Sequence, residues 1–530
     1  MPEWNPFWTD MAKIESGGRY PLLLNRFHDH MEDLLIKGIV STTHRLRYIS
    51  NCCWAIGDIE NKEKCSEYYS FVEAFRRRES ALAIGYYLLK PKSSLGQYPI
   101  YGTEVLRVRA TNEDIDYDCS FKILPSQELG AFGQYYKGTM QNWGLIYTDE
   151  NSVIKLTDSG NELYEIMDNH YKNSDYHKSY RGKKKVPGRA LMDWGKLNEY
   201  DNIRDSHHKK ERNFYKNILF HLNIKTVEDY RRDTLVIYLE SIIECNNKGI
   251  SFNEDVLRNI FYYYKIKQGE KIIDINLSPF LNNAIFFWKI YEIHVYFRWW
   301  ISEFFRFFLY KLNNSSEGLK LDEVFSDFNV EKFNLKINEI IGIKKDWYSL
   351  TFEEIHKSIS NINKLKIDFL EERLTYSEIE DFSHVSAYLI AMLILLLDKY
   401  KSINNDSRYL EVRMTLTDDF WFDELFRYLE GMGEVKNSDL LKNISKRFVL
   451  DKHDKRMYEK GDLRRCWFTK SGDKYIHQAD THSIWRPAKH NIIINFLFDM
   501  KLIDIKDDKI IVSDEGVELY NFLKGNIYYG

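Results

Sequence analysis

One sequence pattern occurs twice in this chain, once in its first third and once near its end. Residues 143–146 read Trp-Gly-Leu-Ile, and residues 156–164 read Leu-Thr-Asp-Ser-Gly-Asn-Glu-Leu-Tyr. Residues 500–503 read Met-Lys-Leu-Ile, and residues 512–520 read Val-Ser-Asp-Glu-Gly-Val-Glu-Leu-Tyr. In the longer segments, five pairs of identical residues occupy matching places: Asp158 and Asp514, Gly160 and Gly516, Glu162 and Glu518, Leu163 and Leu519, Tyr164 and Tyr520. This repeat predicts that the two segments share one local fold.

The second copy has the periodicity of a helix, a two-stranded hairpin and another helix. Apolar residues recur at helical spacing from Ile493 to Met500, and a polar turn at 506–509 precedes the β-branched run 510–512. Ser513 or Asp514 then stands where a helix cap is expected. We expect three apolar residues on the inner side of the helix that follows: Val517, Tyr520 and Leu523.

The first copy shows the same order of elements. A polar turn at 149–152 separates two short apolar runs, Asp158 is the expected helix cap, and Leu163 and Ile166 are expected to face inward. This order is typical of a winged helix. The alternative is an ordinary helix–hairpin–helix inside some other α+β domain.

Composition indicates a mostly α protein with several domains. The chain has 530 residues, of which 44% are hydrophobic and only 9 are proline, so it can form several cores and needs few special turns. We expect a helical bundle with two winged-helix domains, one near residues 100–170 and one C-terminal. The predicted regions are an N-terminal helical region at 1–98, a winged helix at 99–178, a basic linker at 179–213, the bundle at 214–450 and a winged helix at 451–530.

Two strongly apolar segments are expected to be buried helices and not membrane spans. The segment that follows Ser278-Pro279 carries several charged residues through its middle, and the segment at 388–397 has about ten apolar residues against roughly 20 needed to cross a bilayer. The N-terminus shows no cationic leader, and the six cysteines form no Cys-x-x-Cys pair. We therefore expect a cytoplasmic protein without a membrane partner.

Two segments concentrate positive charge in a chain whose net charge is -4. Residues 181–213 contain ten Lys or Arg against five Asp or Glu, a local net of +5, and residues 452–490 have the same balance. In the second segment Trp467, Phe468, Tyr475 and Trp485 alternate with the charges, as in surfaces that bind nucleic acid. The predicted DNA-binding residues are Lys183, Lys184, Lys185, Arg189, Lys209, Lys210, Arg464 and Arg465.

Motifs for catalysis or cofactor binding are weak. Neither phosphate-binding glycine pattern occurs, and neither does Gly-x-Ser-x-Gly. His28 and Glu32 could share a metal ion on one helix face, and His477, Asp480, His482 and Cys466 lie close in sequence, but ordinary structural roles are favoured for both groups. Glu60-Asn-Lys62 matches a short nuclease motif on a predicted helix instead of a strand. We therefore predict no catalytic, cofactor-binding or metal site.

The layout resembles that of accessory subunits of SMC-type ATPases. The resemblance rests on the two winged-helix regions, on their order around a long helical middle, and on residues 34–48, which resemble the opening of uncharacterised bacterial defence proteins. The layout is also similar to that of the kleisin-like middle components of Lamassu and ABC three-component systems. The resemblance implies a terminal wing built from Leu502, Ile503, Ile510 and Val512, and a neighbouring face that docks on the ATPase head.

The expected function is that of a non-catalytic accessory subunit. As the resemblance implies, it binds an SMC-type ATPase, contributes to binding of double-stranded DNA, and helps control an effector nuclease in a defence complex against plasmids or phages. One alternative is a restriction-type endonuclease that reads DNA through its winged helices. Another is a winged-helix transcriptional regulator, whose recognition helix would present Lys489, Asn491 and Asn495.

Overall fold

The structure is a computed structural model that describes most of the chain. The described residues are 22, 25–89, 101–222, 230–268, 271–326, 328–359, 382–415, 421–460, 466–480 and 489–528. Helices account for 66% of them and strands for 9%, which confirms the prediction of a mostly α protein.

The helices alternate with short strands that pair into small sheets. The helices are α1 Asn25–Leu35, α2 Leu46–Lys62, α3 Tyr68–Leu89, α4 Thr103–Arg109, α5 Lys137–Asn142, α6 Asp158–Tyr171, α7 Gly188–Leu197, α8 Lys209–Phe220, α9 Tyr230–Asn247, α10 Glu254–Tyr263, α11 Asn282–Asn313, α12 Leu321–Val324, α13 Val330–Ile341, α14 Phe352–Ile359, α15 Phe382–Lys401, α16 Ser407–Thr415, α17 Trp421–Glu430, α18 Asn437–Ile444, α19 Asp451–Lys460, α20 Lys489–Asp499 and α21 Asp514–Leu523. The strands are β1 Asp116–Asp118, β2 Ile146–Thr148, β3 Ile154–Leu156, β4 Lys185–Pro187, β5 Lys265–Gln268, β6 Lys271–Asp274, β7 Leu319–Lys320, β8 Phe468–Ser471, β9 Lys474–His477, β10 Ile503–Lys506 and β11 Lys509–Val512.

The chain divides into two compact units whose boundaries differ from the predicted ones. Unit 1 comprises 1–32, 261–273 and 286–486, and unit 2 comprises 33–260, 274–285 and 487–530. Both copies of the repeat therefore belong to unit 2. The predicted bundle at 214–450 is divided between the units, and the predicted linker at 179–213 contains β4, α7 and the start of α8.

Both copies of the repeat form the predicted helix, hairpin and helix. In the first copy β2 pairs antiparallel with β3 between α5 and α6. In the second copy β10 pairs antiparallel with β11 between α20 and α21. A long helix of unit 2 packs on each hairpin and on the helix after it, namely α2 in the first copy and α9 in the second.

The same hydrogen bonds begin the last helix of each copy. Thr157 and Ser513 are the N-caps, and their hydroxyl oxygens accept from the amides of Gly160 and Gly516 at 3.2 and 3.1 Å. The cap's own amide donates to the carbonyl oxygen of the residue that precedes the first strand, from Thr157 to Leu145 in the first copy and from Ser513 to Leu502 in the second, both at 3.0 Å. The prediction that Asp158 caps this helix is therefore wrong, because the preceding hydroxyl occupies that place.

One inward-facing residue was predicted on the wrong side of its helix. Val517 is 41% exposed, whereas Tyr520 and Leu523 are buried as expected. The cap at Ser513 fixes the helix register, and it turns Gly516 toward the hairpin. Each residue advances about 100° around the axis, so Val517 is rotated away from that contact.

Unit 1 has a core of aromatic and aliphatic helices. Helices α11 and α15 are buried along most of their length, and the Trp300 indole N–H donates to the Leu389 carbonyl oxygen at 2.9 Å. The sheet of β7, β9 and β8 adds Phe468 and Tyr475, which contact Phe308. Among the described helices, α15 alone is long and apolar enough to span a membrane, and 83% of its most apolar window is buried inside the protein.

Candidate functional site

The predicted basic linker contains a strand of unit 2, β4. Strand β4 pairs antiparallel with β1, and Val186 lies opposite Tyr117 with both side chains buried. Lys183, Lys184 and Lys185 are exposed at this edge. Arg189, also exposed, follows in the first turn of α7.

Carboxylates from the neighbouring strand lie beside these cations. Three exposed ion pairs result: Lys184 with Asp118 at 3.7 Å, Lys185 with Asp116 at 3.4 Å, and Arg189 with Asp114 at 2.8 Å. Exposed pairs of this kind contribute little to stability, so the cations can exchange a carboxylate for a phosphate at small cost. The acidic residues at 113, 114, 116 and 118 also reduce the local net charge from +5 to +1, which a count along residues 181–213 does not show.

Lys209 and Lys210 form a second exposed pair of cations. They occupy the first turn of α8, where Glu211 turns inward and is fully buried. Within the described part of the chain, no carboxylate lies at ion-pair distance from either ammonium group. Among the described residues, these two lysines therefore lack the close carboxylate partners that Lys184 and Lys185 have.

The third predicted basic site lies partly outside the described residues. Arg464 and Arg465 fall there, as does Trp485. The aromatic residues expected to alternate with them on the surface are buried: Trp467 is 2% exposed, Phe468 1% and Tyr475 8%. These three aromatic residues pack in the core of unit 1 and do not lie on a surface between the cations.

The three arginines at 76–78 of α3 are used in ion pairs. Arg76 binds Glu128 at 3.1 Å, and Arg77 binds Glu63 at 2.6 Å. Arg78 is buried and binds Asp58 at 2.6 Å. The Asp58 carboxylate keeps the Arg78 pKa above its ordinary value even though burial alone would lower it. Arg77 and Arg78 thus hold α3 to α2 and its C-cap, and Arg76 holds α3 to the segment that contains Glu128, so the arginine cluster has a structural role.

The helix predicted to read DNA is largely packed into unit 2. Within α20 the residues His490, Ile493 and Asp499 are buried, and Asn491 is exposed. The other two predicted reading residues, Lys489 and Asn495, are only half-exposed.

Ion pairs and hydrogen bonds fix the second copy within unit 2. Arg45 binds the buried Asp499 at 2.7 Å, and the amide of Leu46 donates to the same carboxylate at 3.0 Å. Lys216 of α8 binds Glu515 of α21 at 2.7 Å. The last helix–hairpin–helix is therefore an integral part of unit 2.

The candidate metal and nucleophile groups have structural partners. The Tyr291 hydroxyl lies 2.8 Å from His28 and 3.0 Å from Glu32, and His477 lies 2.9 Å from Asp480. Among the described residues, no three His, Cys, Asp or Glu side chains are placed to hold one metal ion. His482 lies outside the described residues.

The remaining motif residues also lack the arrangement that chemistry would need. Glu60 sits on α2 and accepts a hydrogen bond from the amide of Leu156 at 3.1 Å. Cys466 is buried. The Glu60-Asn-Lys62 motif is therefore on a helix, as its sequence context predicted, and the strand arrangement of a nuclease motif does not occur there.

A buried polar network in unit 2 was not predicted from sequence. Arg47 is fully buried and binds Glu211 at 2.6 Å, and Ser50 donates to the same carboxylate at 2.6 Å. Despite burial, Arg47 and the neighbouring His208 hold the pKa of Glu211 below its ordinary value. Burial first, and then nearby positive charge, lowers the pKa of His170 to about 4. An Arg followed by apolar residues gives no local signal of such a network.

Comparisons with known proteins identify no relative of this chain. No protein family, no curated protein and no solved structure matches it. The exposed cations and the two copies of the repeat are therefore the features on which a functional assignment depends.

Proposed function

We propose that this chain is a non-catalytic accessory subunit that binds an SMC-type ATPase. In the proposed complex it contributes to binding of double-stranded DNA and helps control an effector nuclease that acts against plasmids or phages. The complex would act in the cytoplasm, where such DNA is found. The observation that carries the proposal is the pair of matching helix–hairpin–helix copies within one compact unit, which we interpret as two winged helices.

The structure of the copies supports an interaction module. Their caps and hairpins agree in detail, while the outward residues differ: Thr148 and Asn161 of the first copy correspond to Ile505 and Val517 of the second. Ile505 is 51% exposed and Val517 is 41% exposed. A second copy with exposed apolar residues is suited to bind a protein, because burying such residues is favourable.

Two exposed cation sites support a contribution to DNA binding. Lys209 and Lys210 lack carboxylate partners among the described residues, and Lys184 and Lys185 have only exposed ones. Lysine side chains of this kind bind phosphates and release counterions. Contacts to phosphate carry no sequence information, so the expected binding is independent of sequence.

Two alternative functions receive less support. A transcriptional regulator needs a helix free to enter the major groove, whereas α20 is mostly buried. A restriction-type endonuclease needs carboxylates and a lysine on neighbouring strands, whereas Glu60 is on a helix and bonded to a backbone amide. Magnesium-dependent cleavage of DNA by the purified chain would favour the endonuclease instead.

The proposed partners can be tested by affinity purification of the tagged chain from its native host. We expect mass spectrometry to identify an SMC-type ATPase and a nuclease. A matched purification with Leu519→Asp, which puts a charge on the inner face of α21, should lose the ATPase if the second copy is the docking unit. Recovery of the wild-type chain alone, as a monomer that does not bind DNA, would contradict the proposal.

The contribution to DNA binding can be tested with charge variants of the assembled complex. Replacing Lys183, Lys184 and Lys185 by Glu should weaken binding, and replacing all three by Arg should preserve it as the control. For each lysine that binds a phosphate in the wild type, the Glu variant should show a slope of log affinity against log salt that is shallower by about 0.9. An unchanged slope in the Glu variant would exclude this site.

The ion pairs of β1 allow a test in the opposite direction. Asp116→Asn with Asp118→Asn removes the carboxylates beside Lys185 and Lys184, so DNA affinity should rise. Lys209→Glu with Lys210→Glu should weaken DNA binding without any change to β4. If the Asn variant binds DNA no better than the wild type, the lysines of β4 do not contact phosphate.

A further inference from the structure

Glu79 is a buried acid that holds the beginning of a helix distant from it in sequence. Residues 130–142, here called the entry helix, run through the π-helical turn Phe132–Tyr136 and α5 to the first hairpin. One oxygen of the Glu79 carboxylate accepts from the Phe132 amide at 2.9 Å. It also accepts from the Tyr48 hydroxyl at 2.7 Å. Glu79 of α3 thus accepts a hydrogen bond from the first turn of the entry helix, as a local capping residue does in other helices.

The fit around this carboxylate is close. Gly130 adopts a left-handed conformation with φ of 56°, and a Cβ added there would clash with the second carboxylate oxygen of Glu79. Glycine at this position lets the entry helix approach the carboxylate directly. Glu79 itself is only 6% exposed, so its charge has very little contact with solvent.

Few charged groups face Glu79 to balance that charge. Helix α2 contributes the Tyr48 hydroxyl and the buried Cys52 thiol, and α3 contributes Arg76 and Arg78. The entry helix offers backbone amides, and α7 offers the Trp194 indole at a cavity of about 10 Å³ beside the acid. Arg76 and Arg78 are themselves paired with Glu128 and Asp58. These groups hold the carboxylate in position without supplying a dedicated counter-ion.

We propose that Glu79 makes the seating of the entry helix against α2 and α3 depend on proton uptake. When the helix is seated, a neutral carboxyl group is easier to bury than a charged one. When the helix opens and water reaches Glu79, the charged form is favoured. Opening therefore becomes more frequent as pH rises through neutrality, and proton binding closes the helix.

The consequence extends to the second copy of the repeat. Trp143 directly follows the entry helix, and its ring packs edge-on against Phe496 of α20 with centroids 5.7 Å apart. Thr139 of the same helix lies 3.0 Å from Thr43. Opening of the entry helix would disturb both contacts, so protonation of one acid regulates how the two copies pack. This inference does not depend on any ATPase or DNA partner.

The size of the effect follows from the linkage between proton binding and opening. Burial raises the pKa of Glu79 to about 7, against an ordinary value of 4.5. With these values the opening equilibrium increases about tenfold between pH 6 and pH 8. Because the pKa of Glu79 is higher in the seated state than in the open state, the seated state loses stability as pH rises from about 4.5 to about 7.

Hydrogen exchange of the full-length chain, measured by mass spectrometry on peptides that cover residues 130–142, tests the proposal. After correction for intrinsic exchange rates, the wild type should open about tenfold more often at pH 8 than at pH 6. Glu79→Gln should show no such increase, whereas Glu150→Gln, a change at an exposed hairpin position, should match the wild type. A wild-type equilibrium that does not change with pH, or a Gln variant with the wild-type increase, would overturn the proposal.

A second variant covers the case in which Glu79→Gln fails to fold. Glu79→Asp keeps the carboxyl group and shortens the side chain by one methylene, so it should retain an increase between pH 6 and pH 8. If a folded Glu79→Asp variant shows no increase in opening between pH 6 and pH 8, another group titrates and the role of Glu79 is refuted.

Discussion

Gly160 and Gly516 occupy the same place in the two copies, and replacing either with alanine should damage its own copy. In each case the glycine faces the carbonyl oxygen of the residue that precedes the first strand, Leu145 or Leu502. A Cβ added at either glycine would lie well under 3.0 Å from that oxygen. The obstacle is backbone and not a flexible side chain, so the helix and the hairpin would have to separate.

The expected loss of stability can be set against the gain in helix propensity. Forcing an extra carbon into a closely packed site costs about 1–3 kcal/mol. Alanine recovers up to about 1 kcal/mol relative to glycine within a helix. We therefore expect a net loss of roughly 1–2 kcal/mol, which increases the opening equilibrium of that copy about five- to thirty-fold.

Gly138, in the first helix of the first copy, is the matched control. It lies in α5, and a Cβ added there would meet no atom within 4 Å. Gly138→Ala should therefore stabilise by roughly 0.5–1 kcal/mol, since only the helix propensity changes. Hydrogen exchange of residues 154–171 and 503–523 gives the local stability of each copy separately. If the Gly160→Ala or Gly516→Ala variant is as stable as the wild type, an added Cβ does not force the helix away from the Leu145 or Leu502 carbonyl oxygen.

Three further predictions concern buried charge in unit 2. Leu519→Asp should unfold the second copy, because an unpaired charge at a side chain only 9% exposed costs several kcal/mol; circular dichroism and exchange of 503–523 would detect this. Asp499→Ala should cost about 1–3 kcal/mol in urea unfolding, because the buried Leu46 amide loses its acceptor and Arg45 keeps only the exposed Asp201 as a carboxylate partner among the described residues. The double variant Arg45→Met with Asp499→Leu should recover part of the loss. His170, whose pKa is lowered to about 4, should make the protein less stable as pH falls from 6.5 toward 4, and His170→Gln should show a weaker decline over that range.

The local fold of the repeat was predictable because its signals are short in range. Alternating apolar residues, a polar turn and candidate capping residues all act within about twenty positions. The same reasoning placed Val517 on the wrong face. Gly516 makes the contact with the hairpin, and the sequence did not show which residue of the first turn makes it.

The surroundings of the basic residues were not predictable by the same means. The carboxylates that neutralise Lys184 and Lys185 come from Asp118 and Asp116, which precede them by more than sixty positions. A charge count along the chain sees only neighbours in sequence. Pairing of β1 with β4 decides the field at this surface, and strand pairing between distant segments has no local signal.

The interior position of Glu79 escaped prediction for a related reason. On α3 it stands directly after the three arginines at 76–78, a context that is typical of an exposed helix face. Its burial depends on the arrival of the entry helix, about fifty positions later in the chain. The close contact between Gly130 and the Glu79 carboxylate is visible only in the structure, where Gly130 has a left-handed backbone.

The two copies have the same internal chemistry and different outer surfaces, and this difference should separate their roles. Caps and glycines must be retained for the hairpin and helix to pack, whereas outward positions are free to vary. At the last helix the second copy exposes Val517 and Phe522, at 41% and 47%, where the first copy has the polar Asn161 and Ile166, which was expected to face inward and is half-buried. If the second copy binds the ATPase, Val517→Glu with Phe522→Glu should abolish that association while leaving the fold and the salt dependence of DNA binding unchanged. Asn161→Glu in the first copy is the matched control, and loss of association in that control alone would place the protein-binding surface on the first copy instead.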